Sequence, residues 1–237
     1  GDFKVHVARA WKRLLGQQDG DGNFLRDGPF HHRFYTNGMC TIALGEILGM
    51  SGDEKYREPA ERAVGYLLKS QSQEGGWRYA PQTDSDVSVT GWVLMALKTA
   101  RMAGLEVPPD RLKRVDRYLD RVGVDGGRRY PYQRGREPTE VMTASALLCR
   151  QYLGWGRDDE RLIDGVESLC QPDNLINDHK DPNVYYWYHA TQVCHHMGGE
   201  YWERWNAVMR QAVPERQGQQ GPEAGSWDPL EPDPDEW

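Results

Sequence analysis

A pattern that returns about every fifty residues constrains this chain more than any other feature, because a chain repeating at that interval builds its core by stacking similar units. The clearest copy is Arg62-Ala-Val-Gly-Tyr-Leu67-Leu-Lys-Ser-Gln71-Ser-Gln-Glu-Gly75-Gly-Trp77. An earlier copy keeps Arg9, Leu14, Gln18 and Gly22 at the same spacing, with Phe24 at the tryptophan position, and Gln18 stands 53 residues before Gln71. A third aligns Asp125-Gly-Gly-Arg128-Arg-Tyr with Glu74-Gly-Gly-Trp77-Arg-Tyr, putting Arg128 where Trp stood and Val122 where Gln stood. Later traces are Leu169 with Gln171, and Gln220 with Gly225-Ser-Trp227.

A second series runs alongside. Thr41, Thr90, Thr143 and Thr191, spaced 49, 53 and 48 residues apart, each open an apolar run that reads as a buried helix. Between them lie charge-rich amphipathic segments, predicted as helices over 3–16, 55–71, 109–122, 159–171 and 200–213. Pro59 and Pro108-Pro109 sit near their starts, where proline is tolerated. Each repeat is therefore expected to be an outer helix followed by an inner one, an all-α chain.

Composition narrows the partners. The 237 residues carry 29 basic and 36 acidic side chains, a net charge of -7, which argues against nucleic acid. No stretch of about 18 apolar residues is available to span a membrane. The expectation is a soluble chain, its location left open between cytoplasmic and peripheral. Cys40, Cys149, Cys170 and Cys194 stand singly on helical runs, so core thiols are expected rather than a disulfide framework.

The Arg-Ala, Leu, Gln, Gly, Trp pattern resembles the repeat of squalene-hopene and oxidosqualene cyclases. The segments Val89-Thr-Gly-Trp92 and Tyr188-His-Ala-Thr-Gln-Val-Cys-His-His196 are similar to bacterial prenyltransferase and squalene oxidase repeat proteins. That resemblance, running from Arg9 to Trp227, implies an α/α toroid. The repeated Gln and Trp (Gln18, Gln71, Trp77, Gln171, Trp227) are expected to be joints. A Gln can bond free carbonyls or amides at helix ends, and a Trp can cover the seam between units. A closed ring of six pairs would need roughly 300 residues, and a further inner helix is due just beyond Trp237. The expectation is an incomplete ring over 1–221, a Pro/Asp/Glu-rich tail over 222–237, and a piece of a longer protein.

Chemistry in such a ring is expected where inner helices begin, at Tyr35 to Met39, Asp84 to Thr90, Pro138 to Met142 and Tyr185 to Ala190, since their ends converge on one mouth. Asp84-Ser-Asp86-Val resembles, without its last Asp, the acid motif with which squalene-hopene-type cyclases protonate an alkene. That resemblance makes Asp86 the proton donor and Asp84 its tuning partner, because such a step needs a neutral carboxylic acid beside a second carboxylate. Read from the residues alone, Asp86 is first a helix N-cap and Asp84 a turn residue.

The zinc-dependent prenyltransferases, also similar, would hold metal near Asp86, Ser88 and His189, but a serine hydroxyl is a poor zinc ligand. No metal and no cofactor is expected. Tyr35, Trp92, Tyr186, Tyr188 and His189, at or near inner-helix starts, are the candidate substrate-binding residues, as aromatic faces shape a polyene and steady its cations. Arg78, Arg128 and Arg129 are read as partners of surface acids, with a diphosphate as their other use. An Asp86 and Glu140 pair of the inverting-glycosidase kind is a remaining alternative. No thioester element, phosphate loop or nucleophile elbow is present. Because the acid motif is short of one residue, the sequence leans toward a non-catalytic module binding a lipid, peptide, protein partner or the rest of its own chain. The alternative is an isoprenoid cyclase using Asp86.

Overall fold

The structure, a computed structural model, describes residues 3–176 and 183–227. Among these residues regular structure is helical, apart from isolated bridges. Four inner helices are α2 (Arg33–Ser51), α4 (Val87–Met102), α6 (Glu140–Leu153) and α8 (Val184–Met197). Five outer ones are α1 (Lys4–Gln17), α3 (Arg57–Lys69), α5 (Pro109–Val122), α7 (Glu160–Leu169) and α9 (Gly199–Glu215). The alternation of outer and inner helices follows the predicted order, and the outer boundaries fall close to the predicted ones.

Inner helices pack side by side in chain order, and α3, α5 and α7 each bridge two of them from outside. The reason is legible in each pattern. On α5, Leu112, Val115, Tyr118, Leu119 and Val122 recur at helical spacing and are buried while the charged residues between them face water. On α4 the run from Val87 to Leu97 is buried at every position except Trp92, so this helix lies at the centre of the core. Asp86, Thr139 and Asn183 cap α4, α6 and α8 by accepting an amide hydrogen of the first turn. The row curves enough that the first turn of α8 meets α4, and through it α2: Ser88 Oγ lies 2.8 Å from both the Tyr35 and the Tyr185 hydroxyls.

The repeat joints carry the fold's most specific contacts. Gln71 donates from Nε2 to the carbonyls of Gly75, 2.8 Å, and of Arg111 on α5, 3.0 Å. Gln18 does the same toward Gly22 and Pro59 of α3. Trp77 is buried and its indole donates to the Leu67 carbonyl at 2.8 Å. Gly75 is required: its φ is +105°, and a Cβ there would lie 2.3 Å from the Arg114 carbonyl oxygen. By contrast Gln171 bonds only within its own turn, to Glu167, and Trp227 is half exposed on the Val213 carbonyl, so neither bridges repeats.

Both repeat series need correcting in phase. Equivalent bonds run from the amide of Phe24 to Asn37, of Trp77 to Thr90 and of Tyr130 to Thr143. Asn37, Thr90 and Thr143 are thus the matching positions, 53 residues apart. Thr41 and Thr191 lie within α2 and α8, whose starts at Arg33 and Val184 fall beside the expected Tyr35 and Tyr185. In the third copy Tyr130, not Arg128, stands where Trp77 does. The turn that Gly75 closes on Ser72 is closed by Gly127 on Val124, which puts Gly123 rather than Val122 opposite Gln71.

All four cysteines are free, and Cys149, Cys170 and Cys194 are buried. The fold brings Cys170 and Cys194 to 3.7 Å between sulfurs, a pairing their 24-residue separation does not announce. Arg150, buried on α6, ties that helix to Asp116 and Asp120 of α5 at 2.5 and 2.7 Å. Among the described residues no helix is long and apolar enough to cross a membrane. Of the expected tail, residues 228–237 lie outside the described residues.

Candidate functional site

Asp86 is fully buried at the start of α4, where its extended backbone leaves the carboxylate free to cap the helix. Oδ1 accepts the Val89 amide at 2.7 Å. Oδ2 accepts the Tyr132 hydroxyl at 2.8 Å, and that hydroxyl lies 2.7 Å from the Tyr79 hydroxyl. Arg78 stands between the two acids: its Nη1 meets Asp84 Oδ2 at 2.6 Å, while its Nε lies 3.5 Å from Asp86 Oδ2, an ionic contact rather than a hydrogen bond. The same guanidinium lies over the rings of Tyr79 and Tyr132, 4.8 and 5.9 Å from their centroids.

These surroundings drive the two carboxyls apart. Burial pushes Asp86 up to about 7, against the pull of the Val89 amide, the Tyr132 hydroxyl and the Arg78 charge. At Asp84 burial also pushes upward, but the Arg78 and Thr83 hydrogen bonds outweigh it and hold that carboxyl below its ordinary range. Asp86 therefore holds a proton up to about pH 7, while its neighbour two residues away stays ionised and holds the arginine.

Tyr79 and Tyr132 are missing from the sequence-based site, although they stand 53 residues apart, the interval of the repeat itself. Tyr132 follows Pro131 in the degraded third copy. The carbonyl of Tyr132 accepts the Val87 amide, which lays its segment alongside Asp86. The charge of Asp86 is felt at Tyr35, Tyr118, Tyr132 and Tyr185.

The predicted aromatic residues divide. Tyr35 joins Ser88 and Tyr185 in the hydroxyl chain described above. Trp92 stacks on Tyr188, 5.5 Å between centroids and 9° between planes, and meets His189 edge-on at 5.9 Å. His189 donates from Nδ1 to the Tyr185 carbonyl at 2.9 Å, burial lowers it to about 4 so that it is neutral, and its Nε2 has no partner. Tyr186 points elsewhere: it packs edge-on against Trp205 of α9 and its hydroxyl reaches the Leu169 carbonyl. Arg78 and Arg128 do pair with acids, Asp84 and Asp164. Among the described residues no group of three or more His, Cys, Asp or Glu is arranged to hold a metal ion.

No family model matches the chain. Over 141 residues, 58% of its length, the chain is 30% identical to the drimenyl diphosphate synthase of Streptomyces showdoensis. The match covers 26% of that protein, so the chain spans about a quarter of the relative's length.

Proposed function

We propose that this chain carries the acid site of a terpenoid cyclase-like domain, in which Asp86 starts cyclisation of an isoprenoid by protonating a carbon–carbon double bond. The single observation that carries the reading is the Asp86 carboxyl itself: fully buried, lifted to about 7, and bonded through Oδ2 to Tyr132. An alkene is a weak base, so the donor must be a neutral acid whose conjugate base is stabilised as soon as it forms. In the step, the O–H bond of Asp86 breaks, its proton forms a C–H bond at one alkene carbon, and the positive charge moves to the other. The new carboxylate keeps the Val89 amide, the Tyr132 hydroxyl and the nearby Arg78 charge. Asp84 keeps Arg78 oriented. The faces of Tyr35, Trp92 and Tyr188 would steady the cation. The likeness to a diphosphate synthase of terpenoid type supports the same substrate class.

A second reading has its own observation. Trp92 stacked on Tyr188, and the Tyr35, Ser88 and Tyr185 hydroxyl chain, join α2, α4 and α8. In that reading Asp86 only caps α4, and the domain binds a lipid, a peptide or a protein without turnover.

Incubation of the chain with squalene and with farnesyl diphosphate, followed by mass spectrometry of extracted products, separates the two. Cyclised product that disappears in Asp86→Asn supports the acid. Intact substrate recovered from the wild type under every condition supports the binding module.

A further inference from the structure

We propose that a cleft beside α5 is a second binding site, one for a phosphate or diphosphate group, built by Arg121, Arg134 and Arg136. The cleft has a volume of about 250 Å³. At about 30 Å³ per water that is room for a diphosphate group.

Its walls are rich in donors and poor in acids. Three guanidinium groups line it against one carboxylate, Glu74. Arg121 is fixed by donating to the Glu74 backbone carbonyl, which leaves the rest of its fork free. The guanidinium groups of Arg134 and Arg136 have no hydrogen-bond or ion-pair partner among the described residues. A planar fork of donors matches the oxygens of a phosphate better than any single charge does.

Tyr118 is part of the lining: the residue is 95% buried, and its hydroxyl is enclosed beneath the surface.

The cleft is also held open in advance. Gln133 donates to the Ser85 carbonyl, the Arg136 amide closes a turn on Gln133, and Pro131 pairs with Pro138 across the loop. Little ordering is left for a ligand to impose. Tyr132 turns toward Asp86 while the next residue, Gln133, lines the cleft, so the two sites share one segment of chain and use different side chains.

The test is isothermal titration of the full chain with inorganic diphosphate at low salt. The expected result is saturable binding of one anion per chain, weakened about tenfold by the paired substitution Arg134→Gln with Arg136→Gln. Tyr118→Phe, which removes a hydroxyl enclosed beneath the surface, should leave it unchanged. The control is Arg9→Gln with Arg13→Gln, which removes the same charge from a basic patch on α1 and should leave the affinity unchanged. Competition by farnesyl diphosphate would assign the site to an esterified group, and its absence to the free anion. No saturable binding, or an equal loss in the α1 control, overturns the proposal. Binding of an unreactive anion is read without turnover, so this result and the fate of the Asp86 reading are separable.

Discussion

Tyr132 donates its hydroxyl to Oδ2 of Asp86 at 2.8 Å across 46 residues of sequence, so the third repeat supplies a partner to the acid of the second. The bond favours the ionised carboxyl. Tyr132→Phe should therefore raise the Asp86 pKa above about 7, by roughly one unit if the bond is worth about 1.4 kcal/mol. A carbon-13 NMR titration of the aspartate carboxyls reads this, and an unchanged or lowered value would contradict the assignment.

Stability should depend on pH through Asp86 in an unusual direction. Its folded pKa is raised, so between about 4 and about 7 the native state binds more protons than the unfolded one, and stability falls as pH rises. The full effect is about 4 kcal/mol at most, at about 1.4 kcal/mol per unit. His189, lowered to about 4, works the other way: its contribution is lost as pH falls from about 6.5 toward 4. Urea unfolding of the wild type and of Asp86→Asn at pH 5 and pH 8 isolates the Asp86 share. The variant should lose less stability over that interval than the wild type does.

Joint residues that look alike in sequence should behave differently. Gln71→Ala strands two carbonyls, of Gly75 and Arg111, and should cost about 1–3 kcal/mol. Gln171→Ala removes bonds confined to one exposed turn and should change stability by no more than about 0.5 kcal/mol. Equal effects in thermal unfolding would remove the distinction between true joints and chance echoes of the pattern.

Gly75→Ala should destabilise by more than about 1 kcal/mol, since the left-handed backbone and the Arg114 carbonyl leave no place for a methyl group. Gly65→Ala, on α3 with open space around it, should be neutral or stabilising. Comparison of their melting temperatures checks this.

How far the sequence reaches is clearest at particular residues. The outer helices were legible because charged and apolar residues alternate at helical spacing, as on α5. The inner helices are legible as apolar runs, and their starts are legible too, with α2 beginning at Arg33 and α8 at Val184 beside the expected Tyr35 and Tyr185. Asp86 and Asp84 stood out as spaced carboxylates at a helix start. Their divergence did not, because it depends on the burial of one acid and on an arginine shared between them. Tyr132, the Tyr118 hydroxyl and the approach of Cys170 to Cys194 are products of packing between repeats, which local pattern does not encode.

The proposed role of Asp86 is tested most directly by running the reaction in heavy water. The Asp86 proton exchanges with solvent, so a cyclisation that Asp86 initiates should place one deuterium on the protonated carbon of each product molecule, and Asp86→Asn should form none. Product that carries no deuterium, or product formed equally well by the variant, would contradict the account.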